Sequence, residues 1–139
     1  MKSLLIAGMG LIILLNSFSL PKQKGVNKAS FDRGKKVYET ICIACHQLDG
    51  GGVQRMNPPL IKTKWVLGDK KALIKIVLKG LKGGELEIDG DTFYNPMPAQ
   101  EAALSDQQIA DVLTFVRNSF GNKASGVSVA EVKGVRSKK

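Results

Sequence analysis

Apolar residues recur along this chain at two periods, and each period marks an element. Phe31, Gly34, Tyr38 and Ile41 fall at spacings of three and four, which predicts a helix from about Phe31 to Ile41 with Ser30 as its N-cap. A glycine in that stripe weakens the helix. Close approach of a second helix explains it, and simple tolerance is the alternative. A second amphipathic stretch follows Gly68-Asp69 from Lys70 to Lys79, with Leu73, Ile76 and Val77 on one face and Gly80 in the C′ position. A third starts at Ser105, which forms a capping box with Gln108. It continues through Ile109, Val112, Leu113, Val116 and Phe120 and stops at Gly121. Its apolar face is the natural partner of Gly34 and Tyr38. Between the second and third helices, Leu86-Glu87-Ile88 and Thr92-Phe93-Tyr94 flank Asp89-Gly90, a strong hairpin signal. The acidic run Glu85, Glu87, Asp89 and Asp91 lacks the spaced loop of a calcium site and reads as a solvated face.

The two ends break the pattern. Residues 1–19 have a short positive start, an apolar run from Leu4 to Leu15 and a small, polar ending, the layout of a signal peptide. Left uncut, the stretch to Leu20 approaches the ~20 residues of a membrane anchor. Either outcome predicts an exported, periplasmic-type domain, with membrane association through an uncleaved N-terminus as the variant. Residues 20–29 are polar and read as a linker. Residues 122–139 lack a helical period and read as a basic flexible tail, with Val127, Val129 and Val132 leaving a short strand open.

The chemistry concentrates in Cys42-Ile43-Ala44-Cys45-His46. Two thiols one helical turn apart, followed at once by histidine, form the attachment signature of a c-type haem, with the imidazole as proximal iron ligand. A zinc site wants about four ligands, and the chain holds 2 cysteines and 1 histidine. A dithiol oxidoreductase would set its pair after a strand in a βαβ unit, and no such alternation occurs. Downstream, Pro58-Pro59-Leu60 offers a stiff backbone whose Pro58 or Pro59 carbonyl is a candidate acceptor for the second ring nitrogen of His46; a rigid turn is the equal alternative. Leu60 is placed to pack on the porphyrin. Met97, between Pro96 and Pro98, sits on constrained backbone and is assigned as the distal ligand. Met56 is too near His46 in the chain for that role, and no second histidine is present.

Composition agrees. A chain of 139 residues suggests one domain, and a small domain buries limited apolar surface alone. Aromatic content of 6% suits a core completed by a large flat group. A net charge of +9 suits steering of an acidic partner, with Lys62, Lys64, Lys70 and Lys71 as candidates near the haem edge; general solubility is the alternative. Nucleic-acid binding does not suit an exported haem domain.

On these residues the chain resembles the class I monohaem cytochrome c family over about residues 30–121. It is most similar to bacterial, periplasmic members, including domains or subunits beside dehydrogenases and terminal oxidases. The resemblance implies an all-α cytochrome c fold wrapped round one covalent haem c, with a small β-hairpin before the distal ligand loop and the first and last helices crossing at Gly34. It implies haem binding by Cys42, Cys45, His46, Pro59, Leu60, Trp65 and Met97, with His46 and Met97 on the iron and Trp65 lining the haem or its propionates. The implied function is one-electron transfer between redox proteins, a dehydrogenase or terminal oxidase with acidic docking surfaces, and not catalysis. A haem-based ligand binder or sensor, and a tethered subunit of a larger oxidoreductase, are the alternatives.

Overall fold

The computed structural model describes residues 26–138. The signal segment, 1–19, lies outside the described residues. Helix α1 spans Lys28–Val37, continues as a π-helical turn over Tyr38–Cys42 and ends in the short α2, Ile43–His46. Its N-cap is Asn27, whose side chain accepts from the Ser30 amide at 3.2 Å. The last residues assigned to the linker therefore belong to this helix, and Ser30 is not the cap. The Ser30 hydroxyl instead donates to Asp111 at 2.5 Å, a tertiary use that competes with capping.

Short α3 (Lys64–Leu67) leads into α4 (Lys70–Lys79), capped by Asp69 at one end and by Gly80 in a left-handed conformation at the other. Strands β1 (Leu86–Ile88) and β2 (Asp91–Phe93) pair antiparallel, Leu86 opposite Phe93. Asp89 and Gly90 both have positive φ, as a two-residue type I′ turn requires. The second strand begins one residue earlier than the alternation predicts.

Helix α5 spans Asp106–Val116 behind the Ser105–Gln108 capping box. It ends before Phe120, which takes a left-handed φ of 56° in the turn beyond, so Gly121 closes that turn and not the helix. Helices α1 and α5 cross at Gly34, where a Cβ would collide with the Asp111 carbonyl and lie 2.9 Å from Phe115 Cβ. Four rings knit the crossing: Phe115 packs against Phe31, Tyr38 and Phe120 with centroids 5.1, 5.3 and 5.7 Å away.

The segment predicted as a flexible tail folds. Val129–Arg136 forms helix α6, headed by a Ser128–Glu131 capping box, and Val127 and Val132 are buried. Thr114 Oγ1 accepts from the Val127 amide at 2.9 Å, Glu131 pairs with Lys70 at 2.6 Å, and Arg136 Nε pairs with Asp106 at 2.6 Å. Tertiary packing, more than propensity, stabilises so short a helix. Among the described residues no helix is long and apolar enough to cross a membrane.

Candidate haem-binding site

The π-helical turn carries α1 into the attachment sequence. Cys42 is its last residue, half-buried against a cavity, while Cys45 lies one turn on and is exposed at the surface. The two thiols are not bonded to each other. Burial, with a smaller contribution from Cys45, pushes the Cys42 thiol up to about 11 and keeps it protonated at neutral pH.

His46 is half-buried, and its Nδ1–H donates to the Pro58 carbonyl at 3.0 Å. The carbonyl can only accept, so the bond places the proton on Nδ1 and leaves the lone pair on Nε2. Burial lowers the imidazole pKa and the Pro58 bond opposes that shift; the net effect favours the neutral form that ligates iron. The acceptor is Pro58, while Pro59 lines the cavity beside it. The intervening loop folds tightly: the Gly52 amide donates to the His46 carbonyl at 3.1 Å, and a Cβ at Gly52 would strike the Asn57 carbonyl. Gln47, directly after the histidine, has a left-handed φ of 63°, and its carbonyl accepts from the buried Tyr38 hydroxyl at 2.6 Å.

Met97 reaches the same cavity from a distant segment. Its amide and carbonyl form a two-bond bridge to Leu81 at 3.0 and 2.9 Å, just past the Gly80 turn. Met56 is 49% exposed and takes no part in the lining. Leu60 lines the cavity, and Trp65 on α3 lines it while staying partly exposed. Among the predicted residues, Cys42, His46, Pro59, Leu60, Trp65 and Met97 thus share one cavity, with Cys45 beside it on α2. The cavity has largely apolar walls and is partly open to solvent.

Sequence reasoning missed part of the lining. Leu86 and Ile88 of the hairpin, Thr63 and Leu104 also face the cavity. The alternation in β1, with Leu86 and Ile88 on one side of Glu87, was the signal for the first two. Few polar side chains line the walls, and those have partners: Thr63 Oγ1 accepts from the Val66 amide at 3.2 Å and Gln100 donates to the Pro98 carbonyl at 3.1 Å. A haem fits these residues: two thiols one turn apart, an imidazole with a free lone pair, a thioether on a separate loop, and apolar walls for the macrocycle.

The cytochrome c family model matches residues 31–120. Over 105 residues the chain is 39% identical to the cytochrome c subunit of an alcohol dehydrogenase (quinone) from Gluconacetobacter polyoxogenes, covering 74% of this chain and 22% of that protein. It is 35% identical over 115 residues to cytochrome c-552 of Thermus thermophilus, covering 76% of this chain and 86% of that one. It is 32% identical over 106 residues to the cbb3-type cytochrome c oxidase subunit FixP of Bradyrhizobium diazoefficiens, covering 75% and 31%. The chain thus spans about a fifth of the dehydrogenase subunit and most of the Thermus protein. With the attachment sequence beside a fitting cavity, these matches show that the chain belongs to the cytochrome c family, whose cofactor is covalently attached haem c.

Proposed function

We propose that this chain is a one-electron carrier between redox proteins, with His46 and Met97 as the axial ligands of its haem. The observation that carries this reading is the meeting of His46, its proton held on Nδ1 by Pro58, and Met97 at one apolar cavity. The bound haem supplies an iron that cycles between ferrous and ferric states. The protein holds the imidazole tautomer, fixes the Met97 backbone through the Leu81 bridge and excludes water with apolar walls. A buried pocket and a methionine ligand both favour a raised potential. With His46 and Met97 both holding the iron, no substrate would reach the metal, and the chain would act as a carrier and not as an enzyme.

Its partners on this reading are a dehydrogenase or terminal oxidase, steered to the haem rim by charge. Lys62 and Lys64 follow or adjoin the lining residues Leu60 and Trp65, and both are exposed. The signal-like residues 1–19 support export, with retention as an anchor the variant. A permanent place as a cytochrome subunit is supported by the similarity to dehydrogenase and oxidase subunits. Co-purification with such a complex distinguishes that subunit from a free carrier.

The test is the visible spectrum of the reduced, haem-loaded protein with and without carbon monoxide. The wild type is expected to stay low-spin and unchanged, and Met97→Ala to bind carbon monoxide. A wild type that binds it readily would move the reading to a haem-based ligand binder or sensor.

A further inference from the structure

The turn after α5 reaches back to the loop that holds His46. Asn122 opens the segment that the sequence reads as a tail, yet it is only 3% exposed. Its carboxamide engages backbone at three points: Oδ1 accepts from the Lys62 amide at 2.7 Å, and Nδ2 donates to the Leu60 and Val116 carbonyls at 2.9 and 2.8 Å. Two residues earlier the Phe120 ring lies on Gly50, where a Cβ would come within 2.6 Å of ring carbons. Leu60 is therefore held by both its polar backbone groups, because its amide donates to the Gly50 carbonyl at 2.7 Å while its carbonyl accepts from Asn122.

Little freedom separates this anchor from the iron ligand. The Pro58 carbonyl, which accepts from His46 Nδ1, lies in the peptide plane that ends at Pro59. The Pro59 ring fixes φ and peptide planes are rigid, so ψ of Pro59 is the one soft torsion between that carbonyl and the Leu60 amide. A displacement of Leu60 is carried to Pro58 and not absorbed on the way. The far end of the same segment has its own anchor, since Arg117 donates to the Val66 and Gly68 carbonyls. Loss of the Asn122 carboxamide would thus free the Leu60 end alone.

We infer that Asn122 is a positioning residue for the haem site: by fixing Leu60 it holds the Pro58 carbonyl on His46 Nδ1, and so sets how strongly the imidazole donates to iron. A ligating imidazole gains basicity from a hydrogen bond at its other nitrogen, and stronger donation favours the ferric state. Asn122 therefore lowers the reduction potential, although it is not among the residues that line the cavity. The inference rests on His46 as an iron ligand and not on Met97. Carbon monoxide binding by the wild type, which would overturn the Met97 assignment, leaves it standing.

Removal of the carboxamide also strands three backbone groups, which costs stability whatever else it does. The test therefore sets Asn122→Ala beside Val132→Ala, which weakens the fold on α6, both in the haem-loaded full chain. In the ferrous protein, NMR measures exchange of the His46 Nδ1 proton relative to the Phe115 amide, so that a global loss of stability cancels. Asn122→Ala is expected to raise that ratio at least roughly tenfold and to raise the midpoint potential. Val132→Ala is expected to leave both unchanged. A wild-type exchange ratio in Asn122→Ala, a potential that fails to rise, or changes shared equally by Val132→Ala would overturn the inference and leave Asn122 a stabilising residue only. Should Asn122→Ala not take up haem, Asn122→Ser, which keeps a hydroxyl for one backbone group and lacks the reach for three, decides by the same two readouts.

Discussion

The two helix pairs of this fold meet on different terms. Helices α1 and α5 touch backbone to backbone, because Gly34 removes the one Cβ that would separate them. Helices α4 and α6 meet through side chains, with Ile74, Leu78 and Val132 buried, ion pairs at the margin and an open groove between them. At its point of closest approach the α1–α5 contact depends on Gly34 and tolerates no addition there. A contact made of many side chains spreads its stability, so each member matters less.

That contrast orders the expected effects of mutation. Gly34→Leu should destabilise the haem-loaded protein by about 4 kcal/mol or more, since backbone must move to admit the side chain; denaturant unfolding that stays within about 1 kcal/mol of wild type would break the comparison. Asp111→Ala at the same crossing should cost about 2–3 kcal/mol, because Arg33, Ser30 and Gln107 all lose their acceptor.

Asp111 also sets a pH dependence. Burial pushes its carboxyl up, but the bonds from Arg33, Ser30 and Gln107 outweigh this and hold it below the usual carboxylate range. A depressed folded pKa adds stability above the unfolded value, about 3.9 for Asp, and that stability is lost as pH falls through the folded value. Asp111→Asn should therefore flatten the acid limb of a stability-against-pH curve, and an unchanged limb would remove Asp111 from the account.

On the other pair, Val132→Ala should cost about 2 kcal/mol, and Ser128→Ala about 1 kcal/mol through loss of the α6 cap. Thermal unfolding checks both, and the reduced spectrum should not change. A Val132→Ala variant as damaged as Gly34→Leu would mean that both pairs are equally exacting.

Legibility in the sequence follows the same division. The α1–α5 crossing was readable because a glycine in an apolar stripe has few explanations, and the Ser105–Gln108 box marks where α5 begins. The bounds of α4 were readable from Asp69 and Gly80, and the hairpin from Asp89-Gly90. Helix α6 was not read, although Ser128-x-x-Glu131 announces it, because Gly134 and the lysines interrupt its apolar period. Its stability comes from surfaces on α4 and α5 that a local pattern does not reveal. At the site, covalent chemistry dictates the spacing of Cys42, Cys45 and His46, so those residues stand out in any reading. The choice of Pro58 over Pro59 as acceptor depends on the path of the loop through Gly52 and Gln47, which local residue preferences do not specify. The π-helical turn ahead of Cys42 left no mark in the apolar spacing either.

The bond from Ser30 to Asp111 joins residues 81 apart in the chain. Loop closure on that scale is slow compared with local helix formation, and a growing chain cannot make the contact until α5 has been synthesised. Until then the partners of α1 on and beyond α5, Asp111, Phe115 and Phe120, are missing. Burial of Cys42 is therefore expected late, and thiol labelling of haem-free chains truncated before residue 106 should find it reactive where the haem-free full-length fold, in which it is half-buried, protects it.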